Sequence, residues 1–465
     1  MPRFALLGTL AIATMAAPAT ASGADRVWID GRGFGHGVGL SQEGARGFAE
    51  HGFGYRRILR HYYRGTSVGT LSPGRSVRVL LQSGGPAVFS AATDVGGVRL
   101  RPDRTYTAVS IGGGRLEIRG GHRAVARGGS PLLVRGPGPL NVAGGTYRGT
   151  LELSAAGGVQ VVNTVPLEDY VRGVVSAESP SSWPMEELKA QAVAARGYAV
   201  TTSHGGAFDQ YADARSQVYH GVGGETPRTD AAVRATRGQV VTYRGQAVTS
   251  YFFAASGGHT ENVEDSFVGA QPKPWLKGVS DPYDGGAPLH TWHRGPFTHA
   301  QLRAKLGDWV RGAFERVVVT QRGASPRIVH AQVVGTRGRT RVTGPQLKAR
   351  LGLPDTWATF VDVSSVAAPA GPSLAAAVGV GDGVAVRTQA ACAVRGAIAP
   401  GAQGAPLAVQ GERRGRWHAV ATTSLRRGGG YAVIVPRSGT YRVRYRGLGG
   451  PPVRVRCGAA AAPGR

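Results

Sequence analysis

Short apolar runs broken by glycine and proline fill residues 71–165 and restrict that part of the chain to a β architecture. Val77-Arg-Val-Leu-Leu81, Arg115-Leu-Glu-Ile118 and Val159-Gln-Val-Val162 each read as a strand, with turn residues about every ten residues between such runs. Glycine fills 73 of 465 positions, which favours strands and tight turns over a helical bundle. One stretch argues for a long helix. Between Pro184 and Thr202 there is no further proline, and Gly197 is the sole weak helix former. Pro184 suits the first helical position, where its missing N–H costs nothing. Glu186 and Glu187 fall in the first turn, where the helix dipole favours negative charge. Just before it, a loop punctuated by Pro180 and Pro184 pins the carboxylate of Glu178 in front of the helix, with Trp183 nearby.

The formal net charge is +27, yet only Lys189, Lys273, Lys277, Lys305 and Lys348 of the 55 basic residues are lysines. Such an arginine bias, beside abundant alanine, glycine, valine and proline, reads as GC-rich composition and a basic solvated surface. The functional alternative is attraction to an anionic polymer such as cell-wall glycan, teichoic acid or nucleic acid. Arginine is spread along the chain, and no helix-turn-helix, zinc-finger or RNP pattern occurs, so nucleic acid is set aside as a partner.

Arg3 precedes the apolar run Phe4 to Ala17, then Pro18 and Ala19-Thr20-Ala21, with a second small-residue exit at Ala24. This pattern predicts a secretory signal peptide over 1–24. The run is too short for a spanning helix. The expectation is a secreted, extracellular or cell-wall protein that does not span a membrane. Cys392 and Cys457 could then form one disulfide, or remain two free thiols.

The fold class expected is α+β: a strand-rich domain over 25–362 with one main Ala-rich helix, then a linker over 363–375 and a small all-β domain over 376–465, an Ig-like sandwich. Within the first domain, 25–70 holds a glycine-histidine segment and a helical pattern, 71–165 the β-rich subdomain, and 166–362 the core around Glu178. The segment Gly31-Arg-Gly33-Phe-Gly35-His36-Gly37-Val-Gly39-Leu has glycine at every second position. As a strand it presents one bare face, open to close approach by another backbone or a sugar, and one face carrying Arg32, Phe34, His36 and Val38. It matches neither a P-loop nor a dinucleotide fingerprint. A third dense segment, Ser256-Gly257-Gly258-His259-Thr260-Glu261, follows an apolar strand, a position where functional groups gather.

At these residues the chain resembles a known family. Tyr170-Val-Arg-Gly-Val-Val-Ser-Ala-Glu178-Ser-Pro180 through Leu188-Lys189 to Arg196 is similar to the core motif of the SpoIID/LytB family. So are Ser216-Gln-Val-Tyr219 with Glu225-Thr-Pro-Arg-Thr229, Ser256 to Glu261, and Arg341-Val-Thr-Gly344 with Leu347 and Leu351. Gly31 to Gln42 resembles that family's glycine-histidine motif. In the family that motif usually comes last, so its position here resembles a circular permutation, tolerable where termini lie close together. The resemblance spans about residues 31–360.

It implies a role in bacterial cell-wall remodelling: a lytic transglycosylase acting on peptidoglycan glycan strands, or a non-catalytic enhancer of an N-acetylmuramoyl-L-alanine amidase. Glu178 takes the part of the single catalytic acid. Lys189, Arg196, His36, Gln42, Ser256, His259 and Glu261 become candidate substrate-binding or orienting residues, with structural ion pairing the alternative for Lys189 and Arg196. Some members bind zinc through one histidine and two cysteines. The corresponding stretch Tyr219 to Glu225 has no cysteine, so no metal and no cofactor are expected. His290-Thr-Trp-His293 reads as a loop pair rather than a metal site. A transglycosylase needs only one carboxylate, whose pKa must rise toward neutrality, most simply through burial.

Overall fold

A computed structural model describes residues 26–369, 392–399 and 401–457. The expected signal peptide and positions 370–375 of the expected linker lie outside these residues. The described chain opens with strand β1 (Arg26–Arg32), which buries Val27 and Ile29 on one face. β1 pairs antiparallel with Thr291–Thr298 on one edge and with Ala358–Pro369 on the other.

The glycine segment that follows is not the strand its alternation suggests. Gly33, Gly35, Gly37 and Gly39 have φ of +77°, +130°, +85° and +78°. Side-chain-bearing residues rarely adopt that region, so the alternation records a winding loop. The close backbone approach is real: a Cβ on Gly39 would sit 2.1 Å from the Tyr251 carbonyl oxygen. The loop ends in β2 (Leu40–Ser41), parallel to Phe252–Phe253, and then enters α1 (Gln42–Glu50), whose N-cap is Ser41. Helix α2 (Tyr55–Tyr62) completes this unit.

The β-rich stretch forms a six-stranded sheet and six strands of a seven-stranded one, whose edge strand is Gln210–Tyr211. Its expected strands fall within Ser76–Ser83, Arg115–Gly120 and Val159–Pro166. The last of these leads into α3 (Leu167–Glu178), which is followed by α4 (Met185–Thr201). Pro184 is the N-cap of α4 and not its first helical residue. Small residues let α4 be buried on more than one side. Leu188, Ala192 and Ala195 pack into the core of the β-rich sheets, while Ala190, Val193 and Ala194 pack with Ile58, Leu59 and Val241 in a second core. A helix apolar around most of its circumference belongs inside a domain.

The expected linker is corrected by the sheet pairing. Residues 363–369 belong to the strand Ala358–Pro369, which pairs with β1 through Ala358–Val363 and, on its opposite edge, with Cys392–Ala399 through Asp362–Pro369. Alanine, proline and serine there suggest a connector, but two neighbours supply ladder bonds that composition cannot reveal. The C-terminal region is all-β. Ala358–Pro369, Cys392–Ala399 and Gly430–Val435 form one side; Arg416–Ser424, Pro406–Arg413, Gly439–Tyr445 and Val453–Val455 form the other. Val394, Val409, Tyr431 and Val443 lie in the core they share. Cys392 and Cys457 are joined as a disulfide with Cα atoms 5.2 Å apart. No helix among the described residues is long and apolar enough to cross a membrane.

Candidate active site

Glu178 is the last residue of α3, not part of the following loop; the helix runs through it to the C-cap Ser179. Its side chain is half-buried, and its two oxygens are held by neutral donors. The Val218 N–H donates to Oε1 at 2.8 Å, and the Gln42 amide donates to Oε2 at 3.2 Å. The same amide donates at 3.3 Å to the Glu178 carbonyl, one of the acceptors a helix end leaves open. Burial holds the carboxyl above the usual carboxylate range, against the pull of these two hydrogen bonds and of nearby His220.

The Ser216–Tyr219 motif explains how Val218 is aimed. The Tyr170 hydroxyl on α3 donates to Gln217 Oε1 at 3.0 Å, and Gln217 Nε2 donates to the Ala195 carbonyl on α4. Tyr219 is buried and donates to Asn163 at 3.1 Å. The motif thus ties both helices together and turns one backbone N–H toward Glu178.

Gln42 opens α1, so the N-terminal glycine segment delivers a side chain to Glu178 across 136 positions of sequence. Arg46, one turn further along that helix face, has its guanidinium carbon 5.6 Å from the Trp183 ring centroid. Glu178, Gln42, Arg46 and Trp183 therefore gather at the turn between α3 and α4.

Two carboxylates near this turn escape a reading by sequence. Glu187 is fully buried and accepts a hydrogen bond from Ser179 Oγ at 2.9 Å; its other oxygen has no partner among the described residues. Burial pushes it up to about 8, so it is not the dipole-stabilised anion its first-turn position suggests. Glu43 also lies above its ordinary value, again through burial, and its charge raises Glu187 further. The only sequence signal was that Glu187 and Leu188 are neighbours on a helix buried nearly all round.

The other candidates form a frame. Arg196 has no exposed surface; its Nε and Nη2 each donate to Glu168 at 2.9 Å, and Nη1 donates to the Gln239 carbonyl. That leaves it nothing to offer a sugar. Lys189 pairs with Glu186 at 2.6 Å, and Glu186 in turn accepts the Tyr55 N–H at the start of α2. Ser256 is buried, and its N–H and that of Gly257 donate to Asp284, which also accepts from the Ser41 hydroxyl. The His259 carbonyl accepts from Arg327 Nη1 at 2.7 Å. Glu261 is buried, raised by burial, and accepts from the Ser325 hydroxyl at 2.6 Å. His36 packs against Tyr251, Phe253 and Phe267 and accepts the Val38 N–H; burial and the nearby Lys348 and Arg327 charges lower it to about 3, so it is neutral at ordinary pH. The connecting thread is Ser41–Asp284–Ser256, which fixes the start of α1 and so the aim of Gln42.

His290 and His293 meet different carboxylates, Asp284 at 2.8 Å and Asp30 at 2.9 Å, and His293 lies in the strand Thr291–Thr298 rather than in a loop. No cluster of three or more potential metal ligands occurs among the described residues.

The SpoIID family model, described as Stage II sporulation protein, matches residues 155–243, which hold α3, α4 and the Val218 segment. The chain is 32% identical over 214 residues to Stage II sporulation protein D of Bacillus subtilis, covering 42% of this chain and 60% of that protein. It is 42% identical over 130 residues to an uncharacterized protein of Brachyspira hyodysenteriae, covering 27% and 33%. Over 118 residues it is 36% identical to the amidase enhancer of Bacillus subtilis, covering 25% and 16%. No solved structure matches. By these matches, residues 155–243 are a SpoIID family segment. The chain spans at most 60% of the length of these relatives.

Proposed function

We propose that the protein is a secreted peptidoglycan lytic transglycosylase with Glu178 as its single acid and base. The observation that carries this reading is the Glu178 carboxyl: half-buried, raised by burial, and gripped only by neutral donors. A carboxyl in that state stays protonated to higher pH than usual, which suits a general acid. Glu178 gives its proton to the bridging glycosidic oxygen as the C1–O bond breaks. The resulting carboxylate accepts the proton of the sugar's own C6 hydroxyl as that oxygen closes onto C1. The product is a 1,6-anhydro-muramyl end; no water is consumed and Glu178 regains its proton. The Val218 N–H and the Gln42 amide stabilise the transient anion between the two steps. Glu187, fully buried beside this turn, does not supply the second exposed carboxylate that a hydrolase needs.

Two structural readings accompany this one. Arg26 lies opposite Val363, so the start of β1 sits beside the end of the first domain, the proximity that a circular permutation requires. The strand order on the two sides of the C-terminal unit supports an Ig-like sandwich.

The decisive experiment incubates the protein with glycan strands, with and without stem peptides, and seeks anhydro-muramyl ends by mass spectrometry. Such ends from the wild type, lost in Glu178→Gln, are expected. Their absence, or equal yield from Glu178→Gln, overturns the proposal. The similarity to an amidase enhancer favours one second reading: a non-catalytic wall-binding partner of an amidase. That reading predicts amidase stimulation that survives Glu178→Gln.

A further inference from the structure

A second concave site lies between β1 and the C-terminal β unit. It has a volume of about 660 Å³ and is lined by Arg26, Trp28, Gln410, Trp417, Arg442 and Arg444, with glycines and prolines filling the rest. Its size falls within the range that encloses a small ligand. Two features set it apart from a packing defect. First, its charge is one-sided: no Asp or Glu lines it, and none of the three arginines has a carboxylate partner among the described residues. Arg26 Nε is buried with no hydrogen-bond partner among the described residues. Three arginines converge on one hollow with no acid in its lining, which makes a positive local field.

Second, the aromatic rings are held in place. Trp28 Nε1 donates to the Gly449 carbonyl at 3.3 Å, docking β1 on the C-terminal unit. Trp417 is half-buried, with the Arg442 guanidinium carbon 4.4 Å from its ring centroid. Arg442 is oriented by donating from Nε to Gln410 Oε1 at 2.9 Å, which leaves its two terminal nitrogens unengaged by side chains. Gly449 lies against it: a Cβ there would be 3.3 Å from Arg442 Nη1. Fixed indole faces, planar guanidinium forks and a primary amide together match a pyranose ring that carries an anionic group. The ring packs on indole, the anion takes paired N–H donors, and the hydroxyls meet the amide.

We propose that this hollow is a binding site for an acidic saccharide, a pyranose bearing a carboxylate, separate from Glu178 and independent of whether Glu178 cleaves glycan. Two sources present that chemistry: a lactyl carboxylate on a muramyl sugar and the carboxylate of a uronic acid.

The test uses the full chain and follows tryptophan fluorescence and titration calorimetry with four probes: a muramyl disaccharide with a free lactyl carboxylate, a glucuronic-acid oligosaccharide, a neutral N-acetylglucosamine oligomer, and a single-stranded oligonucleotide of matched charge. At least one acidic saccharide is expected to bind ten or more times tighter than the neutral oligomer, and the tighter of the two identifies the source. Trp417→Ala and Arg444→Gln are each expected to weaken it at least tenfold with the melting temperature little changed. Arg444 is exposed, so its variant keeps the test valid if Trp417→Ala fails to fold. Equal affinity for the neutral oligomer, equal affinity for the oligonucleotide, unchanged affinity in both variants, or no binding of either acidic probe overturns the proposal.

Discussion

Glu178 and the Arg327 cluster are both assembled by the glycine segment, yet they treat charge in opposite ways. Arg327 is 1% exposed and bidentate to Asp355 at 2.8 and 2.9 Å, with the carbonyls of Ser256 and His259 and the Ser325 hydroxyl oxygen accepting its remaining three protons. Glu178 has no cation within ion-pair range among the described residues and is held by an amide side chain and a backbone N–H. A buried charge with a full set of opposite partners is framework, because any displacement leaves an uncompensated ion. A carboxyl held by neutral donors can gain or lose its proton without dismantling its surroundings. Sequence motifs mark Glu178 and the framework residues Arg196 and Ser256 alike; the partners distinguish them.

The harshest way to break this comparison is Arg327→Met. It strands buried Asp355 and should cost about 3–5 kcal/mol in chemical denaturation. A loss below about 1 kcal/mol, the scale of a surface pair, would show that the cluster is not framework. Glu187→Gln comes next. The folded-state value of Glu187 lies above its unfolded value, so the folded protein binds the extra proton between the ordinary carboxylate value and about 8. Its contribution to stability is therefore greatest below that window and declines as pH rises through it. Denaturation across this range should show wild-type stability falling with pH and the variant curve flatter; parallel curves would refute the assignment.

Gln42→Ala removes a donor that favours the charged form of Glu178. The Glu178 carboxyl should titrate higher, seen by carbon-13 NMR, with a stability loss of about 1–2 kcal/mol. A downward shift would sink the account of the grip. Smallest is Lys189→Met. Its pair with Glu186 is partly exposed, so a change of about 0–1 kcal/mol is expected. A large loss of glycan binding with unchanged stability would instead return Lys189 to the site.

How much of this was legible depends on the range of the forces involved. Local signals placed α4, from the proline-free run after Pro184, and the strands around Val79 and Val161, from short apolar runs between glycine and proline turns. Motif resemblance picked out Glu178 and Gln42, which the fold brings into contact. Local signals failed where distant backbone decides. The run Val171 to Val175 contains β-branched residues that weaken a helix, yet α3 forms there because Val171, Val174 and Val175 are all buried in the core shared with the β-rich sheets. The alternation of Gly33 to Gly39 matched a strand, but its meaning lay in φ, fixed by neighbours such as the Tyr251 carbonyl. Glu187 looked like a dipole partner because sequence does not say which way a helix faces when both sides are covered.

The strand Ala358–Pro369 carries one further consequence. It takes β1 on one edge and Cys392–Ala399 on the other, so a single continuous sheet runs from the strand that carries His293 into the C-terminal unit. Two modules joined by a flexible tether sample many separations, and what one grasps says little about where the other acts. Modules spliced through a shared strand behave as a ruler. If the Trp28–Trp417 hollow grips a polymer that Glu178 cleaves, as proposed above, the stretch presented to Glu178 is set by the geometry of the sheet, and the lengths of the fragments released would report that spacing.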